Sequence, residues 1–188
     1  MSSVKHHVPG EVGVWVLILG DMVVFGLFFL VFVYYRGLDI ELYTQSQKAL
    51  NQNYGALNTL LLLASSWFVV MAVERARADH GRRAATFFAL ALLCGSGFSV
   101  VKFVEYREKL TAGLTITSNE FFMYYYIFTG LHFLHVVIGM GVLVFLIAKT
   151  RASTFSRKDM VVVESGASFW HLVDLLWIVL FPLLYLMK

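Results

Sequence analysis

VGVWVLILGDMVVFGLFFLVFVYY, residues 12–35, is an apolar run broken by a single charge, Asp21. A bilayer core is roughly 30 Å thick, and a helix rising about 1.5 Å per residue needs about 20 apolar residues to cross it. This run is long enough. Four more of the same kind follow, over residues 56–73, 84–106, 121–148 and 161–187, joined by short polar connections. Only helices and closed barrels satisfy their backbone inside hydrocarbon, and runs of this length are helical. The chain therefore reads as an all-α integral membrane bundle of five transmembrane helices, one domain over residues 1–188, with no room for a soluble domain.

Composition agrees. The 188 residues are 59% hydrophobic, 16% aromatic and only 14% charged, where a soluble domain carries about 25% charged residues. The net charge of +3 gives no reason to expect a nucleic-acid partner, because the basic residues sit between spans. The start of the chain, with His6-His7-Val8-Pro9-Gly10-Glu11 ahead of the first span, lacks the basic region and cleavage site of a signal peptide, so this span is expected to be retained. Cys94 stands alone in an apolar run. It allows no internal disulfide and no paired-thiolate metal site, and reads as a small buried hydrophobe.

Basic residues collect on the cytoplasmic side of membrane proteins. The N-terminus and the second and fourth connections carry Lys5, Arg75, Arg77, Arg82, Arg83, Lys149, Arg151, Arg157 and Lys158. The other side carries Arg36, Lys48, Lys102, Arg107, Lys109 and Lys188. The excess predicts a cytoplasmic N-terminus and a C-terminus on the opposite face. The first connection, residues 36–55, reads as polar.

Charges and imidazoles inside spans are costly, so each is a functional candidate. Asp21 lies near mid-membrane beside Gly20. It reads either as a carboxylate in or near a proton path or as a hydrogen-bonded tie between helices, with Gly20 permitting close approach. Lys102, Glu105, Tyr106 and Lys109 share a helix face at i,i+3 and i,i+4 spacings. They read as a snorkelling cluster at the interface or as a functional group. His132 and His135, three apart, can face one way. They suit either half a metal site or buried hydrogen-bonded roles, with Gly130, Gly139 and Gly141 nearby as packing positions. Trp170-His171-Leu172-Val173-Asp174 places His171 and Asp174 three apart, where the carboxylate can orient the ring. The histidines within the spans, His132, His135 and His171, are too few for a haem plus a copper centre, and no haem-attachment motif is present. No metal or cofactor is expected.

Five segments, in order, resemble subunit III of the haem–copper terminal oxidases over essentially the whole chain. They are Gly20-Asp21-Met22 with Phe25, Phe28 and Phe29; Leu57-Asn58-Thr59 with Ser65-Ser66; Phe98, Lys102, Glu105 and Tyr106; Phe128 through Thr129-Gly130-Leu131-His132 and His135-Val136 to Gly139; and Trp170-His171-Leu172-Val173-Asp174 with Trp177. Many members of that family have seven helices, and this chain resembles one without the first two. Lipid held between those two helices and the other five would then be bound differently here. The family's carboxylate is usually Glu after Ser. Gly20-Asp21, led by Pro9-Gly10-Glu11 and Gly13-Val14-Trp15, is similar to a branch associated with nitric oxide reductase.

The resemblance implies an accessory subunit without haem or copper. Its partners would be a catalytic haem–copper subunit and membrane lipids, and it would support assembly, proton uptake and sustained turnover. It also implies a bacterial inner-membrane location, with the C-terminus periplasmic. Two other classes stand beside it on the residues alone. One is an independent membrane enzyme or assembly factor using His132, His135 and His171. The other is a proton-coupled transporter centred on Asp21.

Overall fold

The computed structural model describes residues 10–152 and 157–187; Lys5, His6, His7, Pro9 and Lys188, used above, lie outside them, as do the side chains of Arg157 and Lys158. Among the described residues the chain forms α1 (Val12–Leu38), α2 (Ile40–Gln47), α3 (Gln52–Arg77), α4 (Gly81–Thr111), α5 (Glu120–Arg151) and α6 (Arg157–Phe181), closed by a π-helical turn, Pro182–Leu186. No strand is present among them. Among the described residues five helices are long and apolar enough to span a membrane, the last running Asp159–Leu186. They correspond one for one to the five expected runs, with ends that differ from them by a few residues.

Local chemistry sets the boundaries. Asn119 Oδ1 accepts from the Phe122 amide at 3.0 Å and caps α5, while Lys149 and Arg151 sit in its last turn, where the helix dipole favours cations. Asn51 and Asp39 cap α3 and α2 in the same way. Between α3 and α4 the chain reverses through Asp79 at φ 60°, a left-handed conformation that Asp tolerates better than most residues. Gly81 then brings α4 against the Thr150 carbonyl, where any β-carbon would collide. The basic residues of the second and fourth connections thus come to one end of the bundle. There Lys149 pairs with Asp159 at 2.7 Å and Arg77 with Glu164 at 2.9 Å.

The polar first connection contains the short helix α2, which buries Tyr43 against Phe32 and Phe121 at ring distances of 5.4 and 5.9 Å. The end of α2 and the start of α3 reach the C-terminal π turn: Gln47 Nε2 donates to the Leu184 carbonyl and Gln52 Nε2 to the Tyr185 carbonyl, both at 3.0 Å. Pro182 has no amide hydrogen to continue the α-helical ladder, and the helix widens there into a π turn closed by Met187 N–H to Pro182 O at 2.9 Å. The two glutamine amides hold the carbonyls of that turn.

Packing is led by aromatic rings and small residues. Helix α3 lies on α4, α4 on α5, and α6 fills the centre against α3 and α5. Helix α1 is the edge element. It buries Ile18, Phe25 and Phe32, a stripe repeating every seventh residue, with Val14, Phe28 and Phe29 partly buried beside it, and leaves its opposite face open. Phe28, Phe29 and Phe32 meet Phe128 at 5.8–6.0 Å. Gly139 is a packing position, as expected, since a β-carbon there would meet the Trp170 indole at 2.7 Å. Gly20, Gly130 and Gly141 face open space, so the expected close approaches at those three do not occur.

Candidate functional site

Lys102 on α4 is 1% exposed and Glu105 is fully buried. Both face into the bundle, which corrects the snorkelling expectation: tyrosines from α5 and the π turn close over them before they can reach water. Lys102 Nζ donates to Glu105 Oε2 at 3.0 Å, to Tyr185 Oη at 3.1 Å and to Tyr125 Oη at 3.2 Å. An ammonium has three donors, and all three are used. Tyr185 O–H donates to Glu105 Oε1 at 2.6 Å, so each carboxylate oxygen has a partner. The rings of Tyr125, Tyr106, Trp177 and Tyr185 surround the ammonium at 4.8–5.7 Å, adding cation–π attraction in a desolvated site. Tyr106 lies beside the cluster, its hydroxyl 2.6 Å from Thr129 Oγ1. Lys109, also buried, donates instead to the Ala49 carbonyl. A buried ion pair is tolerated only when its remaining hydrogen-bonding capacity is met, and here it is met by α4, α5 and the C-terminal turn together.

Asp21 has a partner that sequence spacing did not reveal. Its Oδ2 lies 3.4 Å from His135 Nε2, across 114 residues of chain. His135 Nδ1 lies 2.8 Å from the Leu131 carbonyl, which can only accept, so Nδ1 carries a hydrogen. A neutral ring then has a bare Nε2 facing the carboxyl group. The contact is attractive only when one further proton is present, on Nε2 or on Asp21. Both side chains are partly open, 27% for Asp21 and 17% for His135, at the seam between α1 and α5. Phe25 and Phe169 flank the imidazole.

His171 and Asp174 do not form the expected pair. Among the described residues no hydrogen bond joins them. His171 Nδ1 lies 2.6 Å from Ser66 Oγ on α3, and Asp174 is buried with Oδ1 unpartnered. Packing of α6 on α3 supplies His171 with a hydroxyl partner from another helix. Trp170 is wedged between Gly95 and Gly139, and its Nε1 donates to Ser65 Oγ at 3.1 Å. His132 is fully buried between Phe98 and Trp177, at ring distances of 5.6 and 5.2 Å. The three histidines thus go to three neighbourhoods. Among the described residues no group of three His, Cys, Asp or Glu side chains is placed to hold a metal ion. Tyr125 and Tyr185 are the residues that sequence reasoning missed. Tyr125 sits in the run Tyr124-Tyr125-Tyr126, and nothing local says which ring turns inward.

Five apolar spans that enclose a buried cluster of charged and tyrosine side chains define an integral membrane protein of the all-α class. Residues 48–188 match the model of the family Cytochrome c oxidase subunit III. The chain is 33% identical over 130 residues to Probable cytochrome c oxidase subunit 3 of Mycobacterium leprae, covering 69% of this chain and 64% of that protein. It is 27% identical over 176 residues to Cytochrome c oxidase subunit 3 of Thermostichus vulcanus, covering 93% of this chain and 86% of that protein. It is also 26% identical over 178 residues to Heme-copper oxidase subunit I+III of Aeropyrum pernix, covering 92% of this chain and 22% of that one. The chain thus spans less than two thirds of the length of the mycobacterial relative. It belongs to the cytochrome c oxidase subunit III family.

Proposed function

We propose that this chain is a non-redox accessory subunit III of a haem–copper respiratory oxidase of the cytochrome c oxidase type. In this reading residues 1–188 act as one five-helix domain. It lies beside the catalytic haem–copper subunit in a bacterial inner membrane, N-terminus cytoplasmic and C-terminus periplasmic, with membrane lipids covering the rest. Its role is to support assembly, proton uptake and sustained turnover in aerobic electron transport. The observation that carries the reading is the similarity over 92% of this chain to a protein named subunit I+III, which puts both names on one chain. The open outer face of α1, with Val16, Leu19, Val23, Leu27 and Leu30 exposed, is apolar enough for a partner or lipid. Nothing in the relatives named above favours the nitric oxide reductase branch.

Purification in mild detergent, followed by mass spectrometry and a visible spectrum, tests the assignment. Stoichiometric recovery with a haem-containing partner is expected. The chain purified alone should carry neither haem nor tightly bound copper. Stoichiometric metal in it, lost on substitution of His132 or His171, would sink the reading.

Asp21 is the proposed proton-path or structural carboxylate; Lys102 and Glu105, with Tyr106 alongside, form one polar cluster, while His132, His135, Trp170, His171 and Asp174 are proposed as separate polar positions of the bundle. Asp21→Asn retains shape and hydrogen bonding but removes the one-proton chemistry shared with His135. The variant complex should assemble. It should turn over more slowly at high pH, where protons are scarce, or inactivate after fewer turnovers. Steady-state rate against pH and the count of turnovers before inactivation measure this. Identical profiles in the two proteins would reduce Asp21 to a packing residue, and complete inactivity of an assembled variant would make it obligatory.

A further inference from the structure

Asn58 and His132 are both fully buried. Both polar atoms of the Asn58 amide and both ring nitrogens of His132 lack a hydrogen-bond partner among the described residues. Such groups are rare in folded proteins, and an ordered water is one of the few ways their hydrogen bonding is met. The two residues come from different helices, α3 and α5, yet occupy one layer. Ser65 Oγ donates to the Ala91 carbonyl at 2.8 Å and sets the register of antiparallel α3 and α4. Two turns back along α3 is Asn58, and two turns on along α4 is Phe98, so these two stand at the same level. Phe98 packs edge-on against Trp177 at 5.0 Å and His132 at 5.6 Å. Trp177 Nε1 donates to Thr59 Oγ1, next to Asn58 in the chain, at 3.1 Å. One layer therefore holds Asn58, Phe98, His132 and Trp177, with four polar atoms unclaimed by protein.

We infer that this layer is a buried water site, in which at least one water molecule bridges the Asn58 amide and the His132 ring beside Trp177. Water fits the chemistry. A buried water makes about three hydrogen bonds, and an amide with an imidazole offers both donors and acceptors to it. A metal ion does not fit, because a protein metal site takes three or four ligands and among the described residues no group of three His, Cys, Asp or Glu side chains is placed to hold one. The site adjoins the Lys102 cluster, whose ammonium lies 5.3 Å from the Trp177 ring centre. It stands on the packing alone and does not depend on the proposed role in an oxidase.

X-ray hydroxyl-radical labelling of the full chain in detergent, in ¹⁸O water, reads a buried water directly, since radicals form where water is held. Trp177 should take up label several times faster than Trp170, which is equally buried but packed among Gly95, Gly139 and Ser65. Equal inertness of both tryptophans would overturn the inference. Thermal unfolding of Asn58→Leu supplies an independent sign. A water-bridged amide predicts a midpoint lowered by about 2–5 °C, on the scale of a lost buried hydrogen bond in a chain of this size. A raised midpoint would mean that the amide was a true orphan and would also overturn it. If that variant does not fold, the labelling of the unmodified chain decides.

Discussion

Glu105→Ala is expected to remove most of the folded chain from detergent extracts. It leaves the Lys102 ammonium 1% exposed, with tyrosine hydroxyls but no counter-charge. Removing one partner of a buried pair costs about 3–5 kcal/mol, a large share of the roughly 5–15 kcal/mol that typically separates folded from unfolded protein. Tyr185 also loses its acceptor at 2.6 Å, so the C-terminal π turn should loosen with it. The matching double substitution, Lys102→Met with Glu105→Leu, removes both charges together. It should recover much of the lost stability, because paired apolar replacements of buried ion pairs are often neutral. Folded yield after size-exclusion chromatography and the thermal midpoint of each protein measure the effect. Equal loss in the single and double variants would show that the cluster matters for shape and not for charge compensation.

Trp170→Ala should be comparably damaging, at about 3–5 kcal/mol for deletion of a buried tryptophan. Its indole fills the notch between Gly95 and Gly139 and donates to Ser65. The glycines make the sign testable. In the unmodified chain Gly139→Ala places a methyl 2.7–2.8 Å from indole carbons and should destabilise by about 1–3 kcal/mol, as overpacking does. In the Trp170→Ala background the same methyl enters a void and should be neutral or stabilising. Thermal unfolding of the four proteins forms a double-mutant cycle. Additive effects across it would remove the notch from the account.

The loss of the expected His171–Asp174 pair changes what each substitution reports. His171 is held by Ser66 at 2.6 Å, and the same hydroxyl also interacts with Asp174, so Ser66→Ala should free the imidazole more fully than Asp174→Ala. Two residues three apart on a helix are in reach of each other, but reach does not decide between that contact and a hydroxyl arriving from a neighbouring helix.

Spans, helix class and the membrane setting were decided by the sequence itself, because they follow from local quantities. Apolar run length against bilayer thickness needs no knowledge of neighbours, and neither do caps such as Asn119. The pairing of Lys102 with Glu105 was legible for the same reason, being an i,i+3 contact on one helix. Its depth was not. The same four residues snorkel at an interface or lie buried according to whether Tyr125 and Tyr185 arrive from α5 and the C-terminal turn, and only packing brings them. Asp21 likewise shows its charge in the sequence but not its partner, since His135 approaches from another helix across the α1–α5 seam. Which glycine receives a tryptophan, and which buried nitrogen finds no partner, are set by how side chains interdigitate between helices. That interdigitation is a property of the assembled bundle, and no single segment contains it.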